Sequence, residues 1–370
     1  MKLIFSLLAG FLFTASIGFA QSNSSSEYWP LDEFYQAFPQ QVELSRNFEQ
    51  LVQGESQPLT VEQDKEIRIF VVYPGHQVSD YWRRSIASFT ARLDELNIHY
   101  QIYNHYTRPT VAVEQQQRLI EKAERYQPDY LIFTLDVSEH ANLIAHVLEQ
   151  KKMKLILQNI TTPYKAWQAN PPFMYVGFDH VEGTKLLHGY FTQHYPKAKY
   201  GLVYRSPGYV SEMRGDSFIR MQEAAGAQLV DSHYSDASKH GAAVATRDML
   251  KKHPQVDFVY ACSTDVAFGI TAALVRDSQF EGHKIAVNGW GGGDKELDAI
   301  LSGELDVTVM RMNDDNGVAM AEAIKLDLQG RAKLIPQVFS GDFKLVDKRI
   351  HPAKLEEYKK RAFRYSSASQ

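Results

Sequence analysis

The chain has 370 residues, with 40 lysines and arginines against 44 aspartates and glutamates, a net charge of −4 and one cysteine. The length suggests two domains, and the composition, 44% hydrophobic and 23% charged, excludes disordered, collagen-like and disulfide-dense chains. The balanced charge does not favour a broad nucleic-acid-binding surface, and one cysteine excludes an internal disulfide and zinc sites built from two or four cysteines.

The first twenty residues are predicted to be a secretory signal peptide. Met1 and Lys2 give a positive start, Leu3–Phe13 is a nearly unbroken apolar run, and Gly18 and Ala20 place small residues at the −3 and −1 positions of a cleavage site. The apolar run is shorter than the roughly 20 residues that a membrane anchor needs. We therefore expect cleavage after residue 20 and a mature protein in the periplasm.

Residues 21–65 form an irregular, aromatic-rich segment that we predict to be a partly helical N-terminal extension laid over the main body. From residue 66 onward, strand and helix patterns alternate. The predicted strands are Ile67–Tyr73, Tyr100–Tyr103, Tyr130–Thr134, Lys154–Leu157, Met174–Phe178, Tyr200–Tyr204, Gln228–His233, Val256–Ala261, Lys284–Val287, Asp306–Met310 and Val338–Val346. A helix is predicted from Asp314 to its C-cap at Gly330.

Repeated strand–helix units predict an α/β fold with two doubly wound parallel-sheet lobes joined by a hinge. We expect residues 66–177 and 288–334 to form the N-terminal lobe, and residues 178–287 and 335–370 to form the C-terminal lobe. The chain would then cross between the lobes near Phe178, Val287 and Ile335.

Ligands in open α/β sheets bind outside the carboxyl ends of the strands, so a two-lobed molecule should bind in its interlobe cleft. The residues that follow the predicted strands combine amides, hydroxyls, carboxylates, arginines and tryptophans. Such a set suits a small polyhydroxylated ring, because polar groups bond its hydroxyls and indole faces pack on its apolar side. The candidate ligand-binding residues are Gln77, Ser79, Trp82, Asn159, Arg214, Thr264, Asp265, Trp290 and Arg311.

Each candidate also has a purely structural interpretation. Ser79 and Thr264 could serve only as helix caps, and Asp265 could balance a helix N-terminus. The two tryptophans could be core aromatics, and the two arginines could form surface ion pairs. The ligand hypothesis depends on their coincidence at strand ends in both halves of the chain.

Longer motifs surround these candidates and extend over nearly the whole mature chain. They are VVYPGHQVSDYW (Val71–Trp82), DYLIFTLD (Asp129–Asp136), KLILQNITTP (Lys154–Pro163), YVGFDH (Tyr175–His180), ACSTDVA (Ala261–Ala267), NGWGGG (Asn288–Gly293), VMRMNDD (Val309–Asp315) and FSGDF (Phe339–Phe343). With these motifs the chain resembles periplasmic sugar-binding proteins of the ribose-binding type. It resembles still more closely the LuxP family of periplasmic autoinducer-2 receptors of Vibrio-like bacteria.

The resemblance implies that the ligand is autoinducer-2 as a furanosyl borate diester, held by the nine candidate residues. It also implies closure of the two lobes over the ligand and transmission to the periplasmic domain of a membrane sensor kinase, LuxQ in that family. No cofactor is implied, because the boron enters with the ligand. The chain departs from the family pattern in the leader, in residues 21–66 and in the loop Arg205–Gly208.

Two other functions compete with this interpretation. Cys262 could suggest an enzyme, but no Cys–His pair can be assigned from spacing, and we expect a buried inert thiol and no catalysis. The Gly289–Gly293 stretch lacks the spacing of nucleotide-binding motifs. A pentose-binding component of an ABC importer fits the leader and the fold equally well.

Overall fold

The computed structural model describes residues 27–109, 113–135, 137, 139–276 and 284–367. The predicted signal peptide and residues 21–26 of the predicted extension lie outside the described residues. Within the described ranges, no helix combines the length and apolar character needed to cross a membrane.

The N-terminal extension begins with two helices, α1 (Leu31–Ala37) and α2 (Gln40–Gln53). Their apolar side packs on the N-terminal lobe: Phe48 is buried and lies edge-to-face with Phe339 at 6.0 Å. The extension is therefore partly helical and laid over the main body, as the sequence predicts.

The next elements are β1 (Ile67–Tyr73), α3 (Tyr81–Glu95), β2 (Tyr100–Tyr106), α4 (Val113–Tyr126), β3 (Tyr130–Phe133), α5 (His140–Gln150), β4 (Lys154–Gln158) and β5 (Met174–Gly177). These strands pair in parallel and form most of the N-terminal sheet. The β-branched run of β1 is almost wholly buried, as expected for a strand covered on both faces.

The chain then builds the C-terminal lobe through α6 (His180–His194), β6 (Lys199–Tyr204), α7 (Tyr209–Ser211), a π-helical turn (Glu212–Asp216), α8 (Ser217–Ala224), β7 (Gln228–Tyr234), α9 (Lys239–Lys252), β8 (Phe258–Ala261), α10 (Thr264–Arg276), β9 (Ala286–Val287), α11 (Asp294–Ser302) and β10 (Val307–Arg311). The remaining elements are α12 (Asp314–Leu328), β11 (Val338–Ser340), β12 (Phe343–Asp347) and α13 (Pro352–Ala362).

Two parallel sheets form the two lobes, in the orders β11-β5-β4-β3-β1-β2 and β7-β6-β8-β9. Strands β10 and β12 pair antiparallel and continue the C-terminal sheet through single bridges from Asn288 and Gly291 to β10. The predicted fold class, an α/β fold with two parallel-sheet lobes, is confirmed.

The strand pairings correct two of the predicted lobe boundaries. Because β10 pairs with β12 in the C-terminal lobe, the second crossing lies near Met312, not near Val287. Because β11 pairs with β5 in the N-terminal lobe, the third crossing lies near Gly341, not near Ile335. The single predicted last strand, Val338–Val346, is therefore wrong: it is two strands that belong to different lobes.

Helix α12 follows the second crossing and packs closely on α3. Its Gly317 makes this possible, because a Cβ there would lie 2.5 Å from the backbone nitrogen of Phe89. Just after the crossing, the Asn313 side chain donates to the backbone oxygen of Tyr81 at 3.4 Å, in the first turn of α3, which also carries Trp82. Asn316 of α12 donates to the Tyr81 hydroxyl at 2.6 Å and so fixes that ring at the cleft.

Candidate ligand-binding site

All nine predicted residues line one cavity between the two lobes. Four residues that were not singled out from the sequence also line it: Tyr81, Arg205, Val210 and Ser263. The tertiary structure thus brings together every candidate from both halves of the chain in a narrow space.

The N-terminal lobe contributes residues from the loops after β1 and β4. The Gln77 side chain donates to the carbonyl of Pro74 at 3.0 Å, which shapes the loop. Trp82 is buried and its ring lies 4.6 Å from that of Tyr73, so it is a core aromatic as well as a cavity residue. Asn159 has a φ of +67°, and its Oδ1 is buried without a hydrogen-bond partner among the described residues.

Asp265 connects the two lobes at the cavity. Its Oδ1 accepts the backbone N–H of Val78 at 2.8 Å, and its Oδ2 accepts that of Ser79 at 3.3 Å. Burial raises the pKa of Asp265, against the effect of these two donors and the positive charge of Arg205. The Asp265 carboxylate therefore forms hydrogen bonds with the opposite lobe. Its role is not limited to balancing the N-terminus of its own helix.

The loop Asn288–Gly293 presents Trp290 to the cavity. Buried Glu296 organises the loop by accepting the backbone N–H groups of Trp290 at 2.9 Å and Gly292 at 2.8 Å. Trp290 is fully buried, and its carbonyl oxygen accepts the Thr264 hydroxyl at 3.0 Å. The Thr264 hydroxyl thus donates to the loop, and the Ser263 hydroxyl accepts the N–H of Val266 in the first turn of α10 at 3.4 Å.

Gly291 is needed where the loop passes the arginine at the end of β10. Its φ is +146°, a conformation that L side chains rarely adopt, and an added Cβ would lie 2.6 Å from Nη2 of Arg311. Gly291 therefore gives the backbone room beside a cavity-lining cation.

Arg214 lies on the π-helical turn before α8, with its guanidinium carbon 3.6 Å from the centre of the Trp290 ring. Its Nη1 donates to the carbonyl oxygen of Cys262 at 2.9 Å. The side chain is buried, so the surface ion-pair interpretation is excluded. A π-helical turn is a common device for redirecting a side chain towards a site.

Arg311 is the last residue of β10 and is also buried. Its guanidinium carbon lies 4.3 Å from the centre of the Tyr81 ring, and its Nη2 donates to the Trp290 carbonyl at 3.1 Å. Its Nε has no hydrogen-bond partner among the described residues. A buried guanidinium donor without a partner is costly in a protein, which indicates a place for an acceptor.

The electrostatic balance of the cavity is positive. Arg205, Arg214 and Arg311 line it together with one carboxylate, that of Asp265. Burial lowers the pKa of Arg214 well below its ordinary value, and the neighbouring Arg311 and Arg205 lower it further. Burial likewise lowers the pKa of Arg311. An anion in the cavity would offset the cost of bringing these charges together.

Cys262 is buried beneath the cavity, and burial raises the pKa of its thiol. Cys262 contributes to the site through its backbone, because its carbonyl oxygen accepts a hydrogen bond from Arg214. A thiol of raised pKa in an apolar setting has little thiolate to act as a nucleophile.

Two of the unexpected cavity residues follow from the rule already applied. Arg205 comes directly after β6, and Ser263 lies two residues after β8, so both stand at carboxyl ends of strands. Tyr81 directly precedes Trp82 in the segment after β1, but its position there does not distinguish it from its neighbours, and Val210 lies on α7. Their place in the site depends on how each helix packs on its sheet.

Comparison with known proteins agrees with this architecture. A family model described as a periplasmic binding protein domain matches residues 69–332. An ABC transporter periplasmic solute-binding protein from Actinobacillus succinogenes 130z, with bound D-allose, is 18% identical with a TM-score of 0.66, over 76% of this chain and 98% of that one.

Two further solved structures share the fold. A periplasmic ribose ABC transporter protein from Conexibacter woesei is 20% identical with a TM-score of 0.64, over 83% of this chain and 96% of that one. A chain in the XylFII–LytSN complex is 16% identical with a TM-score of 0.63, over 77% of this chain and 98% of that one. At these identities the likeness concerns the fold.

Proposed function

The chain belongs to the family of periplasmic binding protein domains, and within it we propose that the protein is a periplasmic receptor for autoinducer-2, bound as a furanosyl borate diester in the interlobe cavity. The proposed role is binding without catalysis, in the manner of the LuxP receptors that the sequence resembles. No cofactor is required, because the ligand carries its own boron.

The observation that supports this proposal best is the pair of buried arginines held against aromatic rings. Arg214 lies on Trp290 and Arg311 lies on Tyr81, so aromatic rings of the protein itself hold both guanidinium groups in place. Arg311 also has a buried donor without a partner among the described residues. Two oriented cations in a narrow cavity favour an anionic borate over a neutral diol.

The other cavity residues suit the sugar-like part of such a ligand. Asn159 presents a buried acceptor oxygen that lacks a partner among the described residues, and a ring hydroxyl could donate to it. Trp82 and Trp290 line the same cavity and can pack on the apolar side of a small ring. The proposal thus assigns ring contacts and borate contacts to different residues.

Signalling would require the ligand to change how the two lobes are held together. Asp265 already bonds Val78 and Ser79 across the cleft, and we propose that the ligand stabilises this closed arrangement. The partner would be the periplasmic domain of a membrane sensor kinase, LuxQ in the family that the sequence resembles. A solved chain of this fold occurs in a complex, XylFII–LytSN, which supports association of such a chain with a second protein.

The second candidate is a sugar-binding component of an ABC importer. It is favoured by the solved structures of the same fold, which include a ribose transporter protein and a protein with bound D-allose. The positive charge of this cavity distinguishes the candidates, because a neutral pentose has no charge for the arginines to neutralise.

Titration calorimetry with the purified protein tests the proposal. Autoinducer-2, ribose, allose and galactose are each added with and without borate. We expect binding of autoinducer-2 that strengthens with borate. Ribose or allose binding with no autoinducer-2 heat would overturn the receptor function and favour the importer component.

A further inference from the structure

We infer that His180 is a positioning residue for ligand binding, which orients Arg214 and connects it to Asn159 of the opposite lobe. The inference rests on the proposed function, since Arg214 and Asn159 are proposed ligand contacts. His180 is the first residue of α6, immediately after the first crossing between the lobes, and its side chain is buried.

The hydrogen bonds of the imidazole determine its tautomer. Nδ1 lies 3.3 Å from both Nε and Nη2 of Arg214, and Nε2 lies 3.2 Å from the backbone oxygen of Asn159. A guanidinium only donates and a carbonyl oxygen only accepts. Nδ1 must therefore be the unprotonated acceptor, and Nε2 must carry the hydrogen.

This arrangement holds the guanidinium from three sides. His180 accepts from its edge, Trp290 supports its face at 3.6 Å, and the carbonyl oxygen of Cys262 accepts from Nη1 at 2.9 Å. Of the five N–H donors of an arginine, the Nε donor and one on each terminal nitrogen are used. Among the described residues, one N–H on each terminal nitrogen has no partner and is available to a ligand.

The other side of the imidazole holds the backbone of Asn159. Asn159 has a positive φ, and its carbonyl oxygen accepts from Nε2 of His180, while its buried Oδ1 has no partner among the described residues. The His180 side chain thus connects two proposed ligand contacts by hydrogen bonds. Asn159 on the N-terminal lobe is the proposed contact to the sugar-like ring, and Arg214 on the C-terminal lobe is the proposed contact to the borate.

Burial keeps the ring of His180 neutral, and the charges around it act in the same direction. Burial lowers the pKa of the imidazole well below its ordinary value, and Arg214, Arg311 and Arg205 lower it further. The adjacent Asp179 carboxylate lies at the start of α6, where it accepts the N–H groups of Val181 and Glu182. A protonated ring would lose its acceptor and repel Arg214.

Two substitutions separate positioning from packing. His180→Asn retains an acceptor oxygen close to the position of Nδ1, whereas His180→Phe retains the ring without any acceptor. With autoinducer-2 and borate in the calorimeter, we expect His180→Phe to bind roughly 10- to 100-fold more weakly, the usual effect of losing a charged hydrogen bond. His180→Asn should stay within a few-fold of the unsubstituted protein.

The thermal unfolding of each ligand-free variant serves as the control for a structural effect. Equal losses of affinity in both variants, or no loss in His180→Phe, would overturn the inference. If a sugar and not autoinducer-2 gives heat, the proposed function fails, and the same variants are compared with that sugar.

The tautomer gives a test that is independent of the ligand. Nitrogen-15 shifts of the labelled imidazole in the full chain should show the Nε2–H form, still neutral at pH 6.5, where an ordinary imidazole is half protonated. An Nδ1–H form or a charged ring would contradict the inference even if autoinducer-2 binds.

Discussion

The carboxylate of Asp265 in the C-terminal lobe accepts the backbone N–H of Val78 in the N-terminal lobe at 2.8 Å. The bond crosses the cleft at the edge of the candidate site, so a single side chain both lines the cavity and ties the lobes together. Its loss should therefore affect closure and ligand affinity at once.

Asp265→Asn tests this link. The asparagine amide keeps one acceptor oxygen but has no negative charge. It also lacks the second acceptor oxygen, which in Asp265 accepts the backbone N–H of Ser79. We expect roughly 10-fold weaker ligand binding and, by small-angle X-ray scattering, a larger radius of gyration in the ligand-free protein. Asp298→Asn, on the exposed side of α11, is the matched control. Unchanged affinity and unchanged scattering would show that the bond does not hold the lobes.

The arginines should each contribute to affinity. Arg214→Ala and Arg311→Ala should each cost about 1.5–3 kcal/mol of ligand binding, the usual range for a charged hydrogen bond. Arg349→Ala is a suitable control, because Arg349 is exposed and pairs with Asp347 on β12. Calorimetry measures all three variants, and changes near zero for both cavity arginines would remove them from the site.

Gly291→Ala should disturb the site through Arg311. The added Cβ would lie 2.6 Å from Nη2 at a φ of +146°, so the guanidinium or the loop must move. We expect ligand binding to fall roughly 10-fold or more.

Gly226→Ala separates backbone strain from contact with the arginine. Gly226 has a φ of +84°, and an added Cβ there would meet nothing within 4 Å. That variant should lose about 1 kcal/mol of stability and bind normally. Normal binding by Gly291→Ala as well would contradict the proposed role of the glycine.

Asp315 should make stability depend on pH. It lies on α12 near Arg361 and Arg364 of the C-terminal segment, and burial raises its pKa from the ordinary 3.8 to about 6. The folded state binds this proton more tightly, so its contribution is full below pH 3.8 and is lost as the pH rises through about 6.

Denaturant unfolding of the unsubstituted protein and Asp315→Asn at several pH values measures that contribution. The stability advantage of the unsubstituted protein over the variant should fall by about 2–3 kcal/mol between pH 4 and pH 7. Glu356→Gln, an exposed acid on α13, should show no such trend. A difference that rises with pH would mean that the arginines outweigh burial at Asp315.

The sequence by itself determined the alternation of strands and helices and the residues at strand ends. The apolar, mostly β-branched run Ile67–Tyr73 predicts a buried strand, and ligands in such folds bind beyond the carboxyl ends of the strands. Their position after a strand identifies all nine candidate residues, and the same criterion also identifies Arg205 and Ser263.

Only the tertiary structure decided which lobe receives each late strand, and which helix residues join the site. Val338–Ser340 and Phe343–Asp347 have similar local patterns, yet they pair with β5 and β10 in different lobes. Strand propensity is local, whereas the choice of a pairing partner depends on contacts distant in sequence. His180 shows the same limit, because its role lies in bonds to Arg214 and Asn159 that no spacing encodes.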